Sequence, residues 1–198
     1  MEKMKDLVEK VQFEGDQVTC IPQELQMIGQ GRSASVFRMK GTDIAIKIFY
    51  PGFEHLAHIE GDVYQKLNNH EFFPAFFEKG EGYITMQYVE GITFYDCLVN
   101  GVAITDEMVQ RVDEALEFAC NLGFNPSDTH LKNILLTTDG QVKVIDVVRF
   151  TQEFDCPHWR DLKKAYETFY QRRYVPKKIP AFFIEFIIKL YRRRLLPI

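Results

Sequence analysis

Long apolar runs, closely paired cysteines and low-complexity tracts are all missing from this sequence. Its longest apolar stretch, Ala181 to Leu190, is interrupted by Glu185 and Lys189 and falls well short of the roughly 20 apolar residues of a membrane span. The opening residues Met1-Glu2-Lys3-Met4-Lys5-Asp6 lead into no apolar segment, so no secretory leader is expected and a cytoplasmic protein is. The four cysteines, Cys20, Cys97, Cys120 and Cys156, have neither zinc-knuckle spacing nor the density of a disulfide scaffold. They are read as buried free thiols. His55 and His58 lack the intervening Glu and the third ligand of a zincin, so no metal site built from His or Cys is assigned.

What is present fits a folded chain. Of 198 residues, 46% are hydrophobic and 26% charged, with 17 Phe and 9 Tyr available for a core. This excludes disorder and suits one domain or two small lobes. The net charge of −4 conceals an asymmetry: Arg160–Ile198 carries 11 Lys+Arg against 3 Asp+Glu, or +8, and the preceding residues carry −12. The basic segment is read as the solvated flank of a buried helix, with RNA or an acidic partner as the binding alternatives and no DNA partner expected.

Periodicity orders the chain. Lys5–Val11 reads as a short helix followed by a tether up to residue 20. Leu25–Ile28, Ser35–Met39 and Ile44–Phe49 then alternate with period two, as strands do. Ile59, Val63 and Leu67 mark a helical stripe, and Tyr83–Val89 is a further strand. Beyond Thr93 helices dominate: Thr105 caps one that continues through Val112, Leu116 and Ala119. Asn125–Asp128 is loop. Ile134–Leu136 and Gln141–Ile145 form a hairpin across Thr138-Asp139-Gly140, and helices resume at Trp159. The order, strands first and helices after with a border near Val89–Thr93, predicts an α+β class or two lobes. The apolar residues of Phe182–Tyr191 lie almost all round a helix, which predicts burial. A membrane-surface helix ending in Arg192-Arg193-Arg194 is the weaker reading.

Three features bear on chemistry. Gly29-x-Gly31-x-x-Ala34-x-Val36 has no Gly-Lys-Ser/Thr ending and is followed by a strand, which excludes a P-loop and a dinucleotide-binding turn. It is either a plain hairpin turn or a place where backbone N–H groups approach an anion. Lys47 stands between Ile46 and Ile48 in an apolar strand, facing solvent or held inward by an anion, and Glu60 on the following helix could pair with it. Asp128 is followed five residues on by Asn133 and then by Asp146 after Val144-Ile145. An Asp so placed either caps a turn or binds a hard cation, since Mg²⁺ favours carboxylate and amide oxygens.

Together these residues, over about 25–150, resemble the protein-kinase-like superfamily, and in size and loop the minimal RIO-type and tRNA-modification-associated kinases and small bacterial Ser/Thr kinase-like proteins. The resemblance implies a two-lobed kinase fold with a minimal C-lobe: residues 1–20 as an N-terminal extension, 21–90 as the N-lobe and 91–198 as a helical C-lobe. It implies ATP and Mg²⁺, with Ser/Thr of an unidentified protein as acceptor. Nucleotide contacts fall to Ile28, Gly29, Gly31, Val36, Ala45, Lys47, Glu60, Met86, Gln87, Val89 and Leu135, with the hinge at Met86–Gly91. Metal falls to Asn133 and Asp146, and catalysis to Asp128, Lys47, Asn133 and Lys132. Asp161 is expected to brace the catalytic loop. A nucleotide-binding pseudokinase scaffold and a small-molecule kinase similar to aminoglycoside phosphotransferases are the alternatives, the short C-lobe leaving the latter little room.

The sequence also departs from the family pattern. Ala34 replaces the third glycine, Pro126-Ser127 the usual His-Arg, and Val147-Val148 the usual Phe-Gly. His130 occupies the place of the usual Lys, with Lys132 two residues further, so either could meet the γ-phosphate. No Ala-Pro-Glu follows, and regulation by activation-loop phosphorylation is not expected.

Overall fold

The computed structural model describes residues 2–193 and Leu195, and the chain forms two units: Met1–Val89 with Asp146–Thr151, and Glu90–Ile145 with Gln152–Ile198. Arg194, last of the three consecutive arginines, lies outside the described residues.

The first unit opens with helix α1 (Glu2–Glu9) and a hairpin, β1 (Gln12–Glu14) and β2 (Gln17–Cys20), which turns through Gly15 at φ +63°. The tether expected from the sequence is therefore folded structure. The strands are too short to show a period, yet Phe13 and Val18 pack on the core. Next come β3 (Leu25–Gln30), β4 (Ala34–Met39), β5 (Ile44–Phe49), α2 (His55–Leu67), β6 (Phe76–Gly80) and β7 (Tyr83–Gln87). They form one antiparallel sheet in the order β3-β4-β5-β7-β6.

Successive strand residues alternate faces, and cross-strand partners share one. Phe37, Ile46, Ile48 and Tyr83 therefore point to one side, where they bury with Leu7, Val11 and Leu25. Burial of each such side chain stabilises by roughly 1.5–3 kcal/mol. The opposite side carries Val36, Ala45, Lys47, Ile84 and Met86, through the pairings Val36–Lys47, Lys47–Ile84 and Ala45–Met86. In α2 the buried residues Ala57, Glu60, Gly61, Val63, Tyr64 and Leu67 recur at helical spacing, and Asn68 ends the helix in left-handed backbone.

The second unit contains β8 (Gly91–Thr93), α3 (Phe94–Asn100), α4 (Asp106–Asn121), a 3₁₀ turn at Leu131–Asn133, β9 (Ile134–Thr137), β10 (Val142–Val144) and α5 (His158–Ala165). A π turn at Tyr166–Tyr170 follows α5, and α6 (Ala181–Arg192) is the last helix. Thr93 and Asp96 form a capping box on α3, and the Thr105 hydroxyl caps α4 by accepting from the Met108 N–H. The small sheet runs β10-β9-β8. Strand β8, absent from the sequence reading, needs its glycine because a Cβ on Gly91 would collide with the Leu136 carbonyl.

Two expectations are corrected. Of the cysteines, Cys97 is buried, Cys156 half-buried, and Cys20 and Cys120 are exposed. Helix α6 is not a buried helix: Ile184 is its buried residue, while Phe182, Phe183, Phe186 and Ile187 are exposed. Its buried and half-buried residues are Ile184, Ile188, Leu190 and Tyr191, and period alone does not tell whether a second layer covers the other side. No helix among the described residues is long and apolar enough to cross a membrane.

Candidate active site

In the first unit the chemistry gathers around Lys47. Its stem lies in the sheet between Val36 and Ile84, and its ammonium meets two carboxylates, Glu60 Oε2 at 2.7 Å and Asp146 Oδ1 at 2.8 Å. Glu60 is wholly buried, whereas the Asp146 side chain is 45% exposed. Asp146 holds left-handed backbone at φ +60°, which Asp tolerates better than most residues.

One ammonium against two carboxylates leaves an excess of negative charge. Burial pushes the Glu60 carboxyl up from its ordinary 4.5 to about 7, against the pull of Lys47 and of the Val147 backbone N–H. Burial also opposes the Lys47 charge, but Asp146 and Glu60 outweigh it and hold the ammonium above its ordinary value. Lys47 therefore stays charged, and the structure pairs it with Glu60.

The Gly-rich segment is anchored from below. Gly31 N–H donates to the Ala34 carbonyl at 2.8 Å, Tyr50 N–H to the Ser33 carbonyl at 2.9 Å, and the Tyr50 hydroxyl to the Gly31 carbonyl at 3.2 Å. Buried Ser35 shares a hydrogen bond with the Tyr50 hydroxyl at 3.0 Å. Neither Gly29 nor Gly31 has positive φ, and an added Cβ would meet its nearest atoms at ordinary distances of 3.7 Å and 3.4 Å. The turn itself requires no glycine at either place. Ala34, in place of the third glycine, sits in β4 without positive φ. Ala45 and Met86 are buried, and Ile28 lies exposed at a bulge of edge strand β3. The Gln87 N–H is committed to the Ala75 carbonyl at 2.7 Å.

In the second unit Asp128 also adopts left-handed backbone, at φ +62°. Buried Ser127 and Thr129 flank it. Its N–H donates to Cys156 Sγ at 3.3 Å, and its carbonyl accepts from Asn133 Nδ2 at 3.1 Å. Asn125 Nδ2 ties the same loop to the carbonyls of Gln152 and Phe154 at 2.8 Å each. Two histidines approach the Asp128 carboxylate: His158 Nδ1 at 3.3 Å from Oδ1, and His130 Nε2 at 4.0 Å. His158, at the start of α5 and 30 residues from Asp128, belongs to no motif and gave no signal in the sequence.

Lys132 turns elsewhere, to Glu185 Oε1 at 3.2 Å and over the Tyr95 ring at 4.4 Å. The Tyr95 hydroxyl, and after it Lys132, hold the Glu185 carboxyl below its ordinary value. Of the two candidate cations, His130 is the one beside Asp128. Asp161 accepts the Tyr191 hydroxyl at 2.6 Å. Asn133 accepts the Ile145 N–H at its carbonyl, at 2.9 Å, and Asp146 is the next residue in the chain. Leu135 lies on β9 opposite Thr93. A cavity of about 200 Å³ opens beside the loop, among them lined by His130, Lys132, His158, Glu185 and Tyr191.

No protein-family model matches the chain. Over 180 residues it is 46% identical to the Bacillus subtilis protein named "Putative serine/threonine-protein kinase YrzF", a match covering 90% of this chain and 84% of that protein. Over 142 residues, 61% of this chain, it is 30% identical to a "Probable serine/threonine-protein kinase" of Streptomyces coelicolor, and over 141 residues, 65% of this chain, 27% identical to "Serine/threonine-protein kinase SMU1" of Mycosarcoma maydis. These two matches take in only 21% and 19% of the length of those proteins. With 46% identity across nine-tenths of its length, the chain belongs to the family of serine/threonine-protein-kinase-like proteins.

Proposed function

We propose that the chain catalyses ATP-dependent, Mg²⁺-assisted phosphoryl transfer to Ser or Thr hydroxyls of a protein in the cytoplasm. In this reading the fold is a two-lobed kinase, with residues 1–20 as extension, 21–90 as N-lobe and 91–198 as a minimal C-lobe of the RIO-type or tRNA-modification-associated kind. The observation that carries it is the contact of the buried Lys47 ammonium with Glu60 and Asp146, at 2.7 and 2.8 Å. A charged Lys fixed by a buried carboxylate in an apolar sheet has a use in orienting phosphates.

The residues suit the ligands. Gly29 and Gly31 leave room that the turn does not need, as close approach of a triphosphate requires. Val36, Ala45, Met86 and Leu135 offer apolar surface to a base, with Ile28 at its edge, and Val89 offers hydrogen bonds. Asn133 and Asp146 would hold Mg²⁺, their amide and carboxylate oxygens being the donors it favours. Bound Mg²⁺ supplies positive charge that neutralises the phosphates during transfer. Asp128 orients the acceptor hydroxyl and takes its proton late, as the acceptor oxygen bonds to the γ-phosphorus and the bond to the β–γ bridging oxygen breaks. His130, beside Asp128, or Lys132 would supply the cation that meets the γ-phosphate, and positioning with electrostatics would do most of the work.

Thermal denaturation with and without Mg-ATP tests the nucleotide site. Ligand at about 100 times its Kd stabilises by roughly 2.7 kcal/mol, or several degrees at this size. The expected result is a Mg²⁺-dependent shift lost in Asp146→Ala. No shift at millimolar ATP would count against the kinase and the nucleotide-binding scaffold alike, whereas a shift without phosphoryl transfer would favour the scaffold. Radiolabel transfer from γ-labelled ATP is expected to vanish in Asp128→Ala, and its survival would remove Asp128 from the mechanism. The cavity beside the loop favours one second reading, a small hydroxyl compound as acceptor. ATP consumption that leaves every added protein unlabelled while labelling a small-molecule extract would establish it.

A further inference from the structure

The outer side of α6 takes no part in the chemistry above. Its inward row is Ile184, Ile188 and Tyr191. Diametrically opposite, at i, i+4, i+7 and i+11, run Phe182, Phe186, Lys189 and Arg193. Phe182 is 77% exposed and Phe186 55%, with Phe183 exposed beside them. Single exposed apolar residues need no explanation, but an aromatic ridge ending in cations does.

Its surroundings say which partner fits. The ridge lies within the segment of net charge +8, and Arg172, Arg173, Lys177 and Lys178 precede it. Glu185, the acid of α6, is occupied by Lys132 and Tyr95. At 12 residues the helix is roughly 18 Å long, against about 30 Å for a bilayer core, so it can lie on a bilayer but not cross it.

We propose that α6 docks on an anionic lipid surface, with Phe182, Phe183 and Phe186 entering the boundary between headgroups and acyl chains while Lys189 and Arg193 pair with lipid phosphates. The test is co-sedimentation of the full chain with vesicles of phosphatidylglycerol and phosphatidylcholine, against phosphatidylcholine alone. Binding is expected only with phosphatidylglycerol and weakens as salt rises. The pair Phe182→Ser and Phe186→Ser lowers partitioning roughly tenfold or more, as does the pair Lys189→Glu and Arg193→Glu. Unfolding temperatures stay within a few degrees of wild type, because these side chains are exposed. In a second variant, Phe186→Trp, fluorescence shifts to the blue on phosphatidylglycerol vesicles. The proposal is overturned by failure to sediment, by equal binding to both vesicle types, or by undiminished binding of the double Phe variant. It is also overturned if light scattering finds a dimer that the Phe substitutions dissolve, since the ridge is then a contact between copies of this chain.

Discussion

Lys47 and Lys132 each hold a carboxylate at contact distance, but in opposite surroundings. Lys47 sits in the first unit against wholly buried Glu60. Lys132 sits in the second against Glu185, whose side chain is 50% exposed. Near the surface, water screens an ion pair and it contributes about 0–1 kcal/mol. In the interior, removing one partner strands a charge. The first pair fixes a geometry, and the second decorates a surface. Asp113, 36% exposed, stands between them, holding Lys163 Nζ at 2.7 Å and the Trp159 indole N–H at 2.8 Å. The comparison predicts that the cost of truncation follows exposure.

The largest expected effect is that of Lys47→Ala. It leaves Glu60 buried without its cation and costs about 3–5 kcal/mol. At about 2–4 °C per kcal/mol for this size the unfolding temperature falls by roughly 6–20 °C. A fall as small as that of a surface lysine would end the distinction between the two pairs.

The pH dependence sharpens the same contrast. Glu60 has its carboxyl raised from 4.5 to about 7 in the fold. Between those values the folded chain retains a proton that the unfolded chain has lost, so stability falls as pH rises through this window. The raised Lys47 contributes stability that is lost only above its ordinary 10.5, outside the window. Denaturant titrations from pH 4.5 to 7 are therefore expected to show a negative slope in wild type and a flatter one in Glu60→Gln. Equal slopes would mean that Glu60 titrates as a solvated carboxylate.

Legibility in the sequence also followed burial. Strand Ile44–Phe49 reads clearly because both of its sides are buried, which makes it an apolar run broken only by Lys47. Strand β6, half exposed along its length, shows no such pattern, and three-residue β8 is too short to have one. Lys47 and Asp146 were visible because a charge in or after an apolar strand demands a reason. His158 was not, because only the tertiary fold brings it to Asp128. For α6 the period was readable, but the absence of a covering layer was not.

Asp113→Ala is expected to cost about 1.5–3 kcal/mol, the range for hydrogen bonds to a charged group, toward its lower end because water reaches the site. Both its partners lie on α5, so the loss loosens α5 from α4. Lys163→Ala alone costs less, since Trp159 keeps its acceptor. If the double variant Asp113→Ala with Lys163→Ala matches the sum of the single ones, the two groups do not interact, and exposure at this level already abolishes coupling.

Lys132→Ala should produce the smallest change, no more than about 1 kcal/mol or roughly 2–4 °C. Part of that comes from the Tyr95 ring rather than from Glu185, because a cation over an exposed ring contributes about 0.5–1 kcal/mol. Salt separates the two terms. Raising ionic strength screens the exposed Glu185 contact, so the difference between wild type and Lys132→Ala should narrow with added salt, while that for Lys47→Ala should hardly move. A Lys132→Ala effect that is large and indifferent to salt would show that Lys132 is held as firmly as Lys47, and the division between a buried ion cluster in one unit and a solvated one in the other would have to be redrawn.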